Sequence, residues 1–185
     1  MAKLIELRPP LSDQKIRLLK AGDIVSLSGT IVTARDKAYT RALELLRSGK
    51  KLPIDLRNGI VYHCGPLVRK TPRGPKIVSA GPTTSARLND IQVEFVKRTG
   101  VKALVGKGGV SEDVARELAH LGCVYLTFTG GAGVLAAQAI EKVEKVFWQD
   151  LGATEALWVL KVKDFKPLVV AIDTFGDNLY LRKKI

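Results

Sequence analysis

Three segments of the sequence each place one cation beside small hydroxyl or glycine residues, where a strand pattern gives way to a loop or helix. They are SGTIVTARD (28–36) with Arg35, GPTTSARL (81–88) with Arg87, and VGKGG (105–109) with Lys107. A helix N-terminus attracts anions because its first backbone N–H groups are free and its dipole end is positive. Arginine adds a planar fork that can hold a carboxylate through two hydrogen bonds. Two arginines and one lysine therefore predict a site for a small dicarboxylate.

Each segment also has an ordinary structural interpretation. Thr33, Thr84 and Ser85 are residue types that commonly cap helices, and an arginine in a first turn is often simply solvated. Asp36 follows Thr33 at the spacing of a capping box, and Gly81 closes the strand before the second segment. Taken singly, each motif is better explained by capping, whereas the three together favour a binding site.

The apolar pattern in the first half predicts the elements that position Arg35. Residues 11–22 indicate a short helix capped by Ser12, and residues 23–29 alternate as a strand does. The next helix carries Arg35 in its first turn and ends at Gly49, with an apolar stripe formed by Ala38, Ala42, Leu45 and Leu46. Residues 50–80 look rich in strands, and we predict them in GIVYHCGP and KIVSAGP around a basic loop, LVRKTPRG.

In the second half of the sequence, segments with the alternating pattern of a strand are followed by segments with the 3.6-residue period of a helix. Residues 85–98 predict a helix stopped by Gly100, so GPTTSARL is a strand-to-helix junction. The following segments are predicted in order as strand 101–109, helix 111–122, strand 123–131, helix 132–147, and strands 155–165 and 167–176. This order predicts an α/β fold, with crossover helices, a parallel sheet, and mixed pairing in residues 50–80 and at the C-terminus. We expect residues 1–185 to form a single domain.

Length and charge narrow the possible functions. The chain has 185 residues, is 46% hydrophobic and carries a net charge of +12. Between Arg35 and Lys107, 16 Lys/Arg stand against 5 Asp/Glu, a surplus of 11. A positive field concentrated in one segment attracts anions, whether nucleic acid, an acidic partner or a small polyanionic substrate. Charge alone does not choose among these ligands.

Other residue counts argue against several classes of protein. The sequence contains no run of about 18 apolar residues, the length needed to span a bilayer, and its N-terminus lacks the apolar stretch of a secretory signal. We therefore expect a cytoplasmic protein. Cys64 and Cys123 are isolated, which disfavours a disulfide framework. With His63 and His120 as the two histidines, no self-contained zinc site can be assembled, and we expect no metal site in this chain.

Two alternative functions have weaker support in the sequence. GGAGVLA (130–136) places Gly131, Gly133 and Ala136 like a dinucleotide fingerprint, but it lies late in the chain and no acidic residue clearly ends the next strand. A basic nucleic-acid-binding module is the second rival. The 11 aromatic residues show no interleaving with the basic ones, so we expect no nucleic-acid partner.

Six motifs resemble one family. LSGTIVTARDKA, YHCGP, GPTTSARL, VGKGG, LGATEALWVLKVKDF and AIDTFGDNLY occur in the order seen in the β subunit, or C-terminal domain, of class I fumarases and the similar L-tartrate dehydratases. The resemblance covers nearly the whole chain, and GPTTSxR is specific to that family. It implies a swivelling β/β/α fold that closes over a 4Fe-4S cluster carried by a partner α subunit, and the two-subunit members of the family suggest an α2β2 assembly.

The resemblance also implies an activity and residue roles. The activity is the reversible hydration of fumarate to (S)-malate, with the dehydration of L(+)-tartrate to oxaloacetate as the alternative. Arg35, Arg87 and Lys107 would contact the substrate carboxylates, and Thr83 would be the base that exchanges a proton with C3. An iron with an open position would act as Lewis acid on the C2 hydroxyl. A threonine can serve as base only where cations and exclusion of water shift its proton affinity, which Arg87 and Lys107 could supply.

The sequence departs from the family pattern at two positions and lacks the cluster ligands. Relatives commonly have His where this chain has Tyr39, and they often have Met where Leu88 stands. A tyrosine can donate a hydrogen bond but cannot gain a positive charge near neutral pH. The two cysteines are expected to pack in the core, because free cysteine is among the most buried residue types. This chain alone should therefore be inactive.

Overall fold

Nine strands and five α-helices occur in residues 4–72 and 74–181, the part of the chain that this computed structural model describes. The strands are β1 Leu4–Leu7, β2 Ile24–Thr33, β3 Ile60–Tyr62, β4 Leu67–Thr71, β5 Gly74–Ser79, β6 Ala103–Gly106, β7 Val124–Thr127, β8 Ile140–Phe147 and β9 Leu157–Ile172. The helices are α1 Asp13–Arg17, α2 Asp36–Arg47, α3 Asn89–Thr99, α4 Glu112–His120 and α5 Gly133–Gln138. A 3-10 turn, Ser85–Leu88, leads directly into α3. The predicted α/β class is confirmed.

Seven strands form a mixed sheet that closes on itself. Their order is β1-β2-β3-β6-β7-β9-β8, and β9 also pairs with β2. Strands β1, β2, β3, β6 and β7 run parallel to one another, whereas β9 is antiparallel to β2, β7 and β8. The β2–β9 pairing closes a ring of β2, β3, β6, β7 and β9, so each of these strands has a partner on both sides. The hairpin β4-β5 forms a separate two-stranded sheet.

Two apolar cores lie on opposite faces of the sheet because side chains alternate along each strand. In β3, Ile60 and Tyr62 enter the first core while Val61 enters the second. The second core also receives the buried sides of α2, α3 and α4, including Phe95 and Leu118. This arrangement fixes the parallel strands from both faces, and therefore fixes the loops that follow them. Among the described residues, no helix has the length and apolar character needed to cross a bilayer.

The predicted helix 132–147 is wrong in its second half. Helix α5 ends at Gln138, and the following residues form strand β8, which pairs with β9. Ile140, Val143 and Val146 recur every three residues, which imitates a helical stripe. In the strand the same spacing is accommodated by register shifts between residues 140 and 142 and between 143 and 145. Each bulge inserts an extra residue and so shifts which side chains face the core. Ile140, Val143 and Val146 can therefore all pack against the first core although they are three residues apart.

Three other segments differ from their predicted form. The basic loop LVRKTPRG is largely strand β4, paired with β5, and Arg73 lies outside the described residues. The two strands predicted for 155–165 and 167–176 are one continuous strand, β9, which pairs with three neighbours. The first helix is shorter than predicted, although Ser12 does cap it by accepting a hydrogen bond from the Lys15 backbone N–H at 3.2 Å.

Candidate functional site

The candidate site lies where the parallel strands end. Strand β2 leads after one residue to Arg35, β3 is followed by His63, and β6 is followed by Lys107. Carboxyl ends of neighbouring parallel strands meet at one edge of a sheet, which is where α/β proteins commonly bind ligands. The structure therefore brings the three predicted cationic segments to the same edge, with GPTTSARL running across it.

Thr83 is held by its backbone between the ends of β3 and β6. Its N–H donates to His63 O at 2.6 Å, and its carbonyl accepts from the Lys107 N–H at 3.2 Å. The Ser85 N–H then donates to Lys107 O at 3.1 Å, and Thr84 forms an isolated parallel bridge with Lys107. The motif is thus tied into the sheet as a short extra strand segment. Thr83 and Lys107 are both half-buried and are neighbours through these bonds.

Arg35 and Arg87 meet at one carboxylate. Asp36 Oδ1 lies 3.2 Å from Arg87 Nη2, and Asp36 Oδ2 lies 3.9 Å from Arg35 Nη2. Glu155 Oε1 lies 3.4 Å from Arg35 Nε, yet that buried nitrogen has no hydrogen-bond partner within the described residues. The guanidinium of Arg35 is therefore held between two carboxylates by charge.

Glu155 is a residue of the site that the sequence reasoning missed. Besides pairing with Arg35, it accepts a hydrogen bond from the Lys37 backbone N–H at 3.0 Å, so it caps the N-terminus of α2 from 118 residues away. The predicted capping box of Thr33 and Asp36 is wrong. Thr33 is the last residue of β2, and its hydroxyl accepts from the Trp158 N–H at 3.2 Å. The motif LGATEALW contains Glu155, but its spacing in sequence gives no sign of this contact.

A glycine permits the close approach of Arg35 to the loop after β3. A Cβ at Gly65 would lie 2.8 Å from both Cδ and Nη1 of Arg35 and 2.5 Å from the Thr154 carbonyl oxygen. The loop that contains YHCGP and the loop before β9 therefore pack against the Arg35 side chain from two directions. A side chain at position 65 would push the guanidinium out of its place.

Lys107 packs against the loop after β7. A Cβ at Gly130 would lie 3.2 Å from Lys107 Cδ and 3.6 Å from its Nζ. Gly81 approaches the same loop, because its own Cβ would lie 3.4 Å from Gly130 O. Gly133 has a structural reason to be glycine, since a Cβ there would lie 2.4 Å from Ser79 Oγ and 3.0 Å from Gly81 N. Close backbone packing explains this part of the fingerprint-like GGAGVLA segment.

Tyr39 does not face the site. It is fully buried, and its hydroxyl lies 2.8 Å from His63 Nε2. Burial lowers the pKa of His63 to about 3, so this imidazole is neutral near pH 7. Tyr39 is thus part of a buried contact with His63, which also contacts Ser85 of the 81–88 segment. Ser85 is also fully buried and contacts the other ring nitrogen of His63.

The two cysteines do not fit a role as ligands of an iron–sulfur cluster. Cys64 and Cys123 are fully buried, as expected, and burial raises the pKa of each thiol to about 12. Cluster ligation requires thiolates. Within residues 4–72 and 74–181, no three side chains of the His, Cys, Asp and Glu types are grouped so that they could hold a metal ion.

Comparison with known proteins gives consistent matches over the chain. The model of the family described as Fumarase C-terminus matches residues 1–183. A Methanocaldococcus jannaschii protein named "Putative L(+)-tartrate dehydratase subunit beta" is 44% identical over 178 residues, covering 95% of this chain and 91% of that protein. The L(+)-tartrate dehydratase subunit beta of Escherichia coli K12 is 40% identical over 178 residues, covering 96% and 87%. A Geobacillus stearothermophilus protein named "Putative fumarate hydratase class I" is 38% identical over 179 residues, covering 96% of this chain and 34% of that protein.

Proposed function

The chain belongs to the fumarase C-terminus family, and we propose that it is the β subunit of a class I fumarase. In this proposal it hydrates fumarate reversibly to (S)-malate together with a cluster-bearing α subunit, in an α2β2 assembly. Relatives named as hydro-lyases support the reaction class, and relatives named as β subunits support the need for a partner.

The observation that carries the proposal is the meeting of Arg35 and Arg87 at Asp36, at the same edge of the sheet as Thr83, whose backbone is hydrogen-bonded to His63 and Lys107. The two arginines lie 52 residues apart in the sequence and reach the same carboxylate at 3.9 and 3.2 Å. Charged donors that are already fixed around one point bind a carboxylate at a smaller entropy cost, because their side chains do not have to be immobilised when the ligand binds. Lys107 would bind the other end of a four-carbon dicarboxylate from the far side of Thr83.

Thr83 is proposed to exchange the proton at C3 of malate. During dehydration its deprotonated Oγ takes this proton and becomes a neutral hydroxyl, the C3–H electron pair forms the C2–C3 double bond, and the C2 hydroxyl leaves as hydroxide, a leaving group that the Lewis acid of the partner's cluster would stabilise; hydration is the reverse. The arginines stabilise the negative charge that develops on the adjacent carboxylate. Because a threonine hydroxyl is a very weak acid, the oxygen must be activated by nearby cations in a site that excludes water. A half-site at an open sheet edge acquires such exclusion when the second subunit covers it.

The 4Fe-4S cluster is assigned to the α subunit in this proposal. The described residues of the β chain do not fit such a cluster, because the two thiols are buried in the cores with raised pKa values. The contribution of this chain is therefore to bind the carboxylates, orient the diacid and move the C3 proton.

The proposal is tested by assembling the chain with its cluster-bearing partner under anaerobic conditions. Replacing Thr83 with Ala should lower kcat by about 10²- to 10⁴-fold, the usual contribution of a positioned general base. Thr30→Ala is the matched control, because the Thr30 hydroxyl contacts Glu144 within the sheet, away from the strand ends. Near-normal hydration of fumarate by the Thr83 variant would refute the role of this residue.

Dehydration of L(+)-tartrate is a second candidate activity. It is favoured by the names of the relatives at 44% and 40% identity. Malate and tartrate differ by one hydroxyl group at C3, so both diacids present the same two carboxylates to Arg35, Arg87 and Lys107. The ratio of kcat/KM for fumarate and for L(+)-tartrate in the assembled enzyme distinguishes the two functions.

A further inference from the structure

Four buried polar side chains form a line behind the 81–88 segment. Tyr39 Oη lies 2.8 Å from His63 Nε2, and His63 Nδ1 lies 2.8 Å from Ser85 Oγ. Tyr125 Oη lies 2.9 Å from Ser85 Oγ and 2.9 Å from the carbonyl oxygen of Gly108. The four side chains are 0% exposed, so solvent does not compete for these bonds. The line begins one helical turn after Arg35 and ends at the residue after Lys107.

A glycine in β6 provides the space for this line. A Cβ at Gly106 would lie 1.9 Å from Ser85 Oγ, 3.0 Å from Tyr125 Oη and 3.1 Å from His63 Nδ1. Three of the four polar groups therefore converge on the place that a side chain of β6 would otherwise occupy. The absence of a side chain at Gly106 leaves room for the hydrogen bonds of Ser85.

Counting the protons gives the line a direction. A carbonyl oxygen can only accept, so the Tyr125 hydroxyl donates to Gly108 O. The Ser85 hydroxyl can then donate to Tyr125 Oη, which leaves Ser85 Oγ to accept from His63 Nδ1–H. His63 Nε2 then accepts from the Tyr39 hydroxyl, which has no other hydrogen-bond partner among the described residues. The opposite tautomer would leave the buried Tyr39 proton without an acceptor, which costs about 1–3 kcal/mol.

We propose that this line is a one-directional hydrogen-bond chain that holds His63 as its Nδ1–H tautomer and positions Thr83 for the proton transfer. His63 fixes the motif twice, because its backbone carbonyl accepts from the Thr83 N–H and its ring donates to Ser85. Tyr39, His63, Ser85 and Tyr125 are positioning residues and do not touch the substrate. The positioning role rests on the proposed function of Thr83, whereas the tautomer does not.

The neutral state of His63 is consistent with its surroundings. Burial lowers the pKa of the ring, and the nearby Asp36 carboxylate opposes this effect without reversing it. Within residues 4–72 and 74–181, the hydrogen-bond partners of the ring are two neutral hydroxyls, those of Tyr39 and Ser85. Burial also raises the pKa of both tyrosines, so neither hydroxyl ionises near neutral pH. All members of the line are therefore uncharged, and each proton has one defined place.

The tautomer is tested by nitrogen NMR on the full-length chain labelled with 15N-histidine. His63 and His120 are the two histidines, so His120→Gln assigns the spectrum. At pH 7 we expect the His63 ring to be a single neutral Nδ1–H species. In Ser85→Ala the Nδ1–H loses its acceptor, and the Nε2–H tautomer should become populated. An Nε2–H ring or an imidazolium in the parent chain would overturn the proposal.

The positioning role is tested by kinetics on the assembled enzyme. Tyr39→Phe keeps the ring in its packing against Phe95 and removes the hydroxyl that donates to His63. We expect kcat to fall about 10-fold or more with KM changed less than threefold, because the carboxylate-binding cations stay in place. Thr99→Val is the control, since it removes another buried hydroxyl, which donates to Phe95 O within α3. Parental kcat in Tyr39→Phe, or an equal loss in Thr99→Val, would overturn the positioning role.

The two readouts separate the failure of this inference from failure of the proposed function. An assembled parent enzyme that does not act on fumarate or tartrate would refute the function, and the NMR measurement would still decide the tautomer. An active enzyme whose His63 ring is Nε2–H would refute the inference and leave the function standing.

Discussion

The carboxylates of Asp36 and Glu155 hold the two arginines before any substrate arrives. Long side chains lose rotamer entropy on binding, typically about 0.5–1.5 kcal/mol for each side chain immobilised. At this edge the ion pairs of Arg35 and Arg87 have already restricted that freedom. Three cations and two carboxylates leave these five side chains with a net positive charge, so the proposed diacid would still be attracted to them. In the proposed site, the carboxylates would support the binding of an anion although they carry the same sign of charge as the substrate.

Arg87 should be required for binding. In the proposed site, Arg87→Ala removes a charged donor from one carboxylate of the diacid, and it also removes the nearer of the two arginines that pair with Asp36. We expect a loss of roughly 2–4 kcal/mol in transition-state binding, or about 30- to 1000-fold in kcat/KM of the assembled enzyme. Arg98→Ala is the control on α3, because Arg98 pairs with Glu94 on the exposed side of that helix. Equal kinetics in the two variants would contradict the role of Arg87.

Glu155→Gln separates the two roles of Glu155. A glutamine keeps an oxygen that can accept from the Lys37 N–H, but it loses the charge that pairs with Arg35. We expect the free energy of unfolding to change by less than about 1 kcal/mol, since the cap persists. We expect kcat/KM to fall roughly tenfold because Arg35 is less well oriented. The control is Glu144→Gln at the Thr30 contact. A large loss of stability with unchanged kinetics would show that Glu155 is structural.

At the scale of elements, the site depends on how segments are joined at the edge of the sheet. The 82–85 segment is inserted between the ends of β3 and β6 by backbone hydrogen bonds, so its position does not depend on side-chain rotamers. Strand β2 passes into α2 through Ala34 and Arg35 alone, which leaves Arg35 little freedom. The loop before β9 supplies Glu155 and Thr154 to the same place. Three distant parts of the chain therefore fix one guanidinium.

Gly65→Ala should disturb this junction. The added methyl would meet Thr154 O at 2.5 Å and the Arg35 side chain at 2.8 Å, and the backbone atom cannot move aside cheaply. We expect a destabilisation of about 1–3 kcal/mol in urea unfolding, together with weaker diacid binding as Arg35 is displaced. The matched control is Gly131→Ala, because a Cβ there meets nothing within 4 Å and the residue has no positive φ. Equal stability of the two variants would contradict the packing argument.

At the scale of the whole molecule, the closed sheet separates two cores, and the ends of its parallel strands form the edge that carries the candidate site. An apolar core covers each face of the parallel strands, so the strands are fixed by packing while the edge at their carboxyl ends is left uncovered by the two cores. The cost of this arrangement is that polar groups near the edge, such as His63 and Ser85, are buried inside the molecule. Of these two groups His63 titrates, and its burial links the stability of the fold to pH.

His63 should make the protein less stable in acid. Burial lowers the pKa of its ring from 6.5 to about 3, so between these pH values the unfolded chain binds a proton that the folded chain does not. The free energy of unfolding therefore falls as pH drops through this range, by roughly 1.4 kcal/mol per pH unit. Glutamine does not titrate, so His63→Gln lacks this contribution to the pH dependence. Between about pH 7 and pH 4.5 the parent should therefore lose roughly 2–3 kcal/mol more free energy of unfolding than the variant does.

Urea unfolding at several pH values measures this effect. His120→Gln is the control, since it removes the other histidine, which is exposed in the last turn of α4. Parallel curves of unfolding free energy against pH for the parent and His63→Gln would contradict the assignment.

The sequence by itself determined the class of fold, the family and the segments that carry the cations, because these depend on local periodicity and on motifs read along the chain. The stop of α3 at Gly100 and the cap of α1 by Ser12 were predictable for the same reason. Strand β8 was not, since its apolar residues repeat every three positions and bulges in the sheet, invisible in the sequence, shift their alternation.

Only the tertiary structure decided which residues surround those cations. Glu155 reaches Arg35 and the start of α2 across more than 100 residues, and Tyr39, His63 and Ser85 meet because three separate segments fold onto the space left by Gly106. Contacts of this kind come from the closing of the sheet, which brings strand ends together irrespective of their distance in sequence. Residue type gives the chemistry of each group, but the partners that orient it are set by the packing of the whole chain.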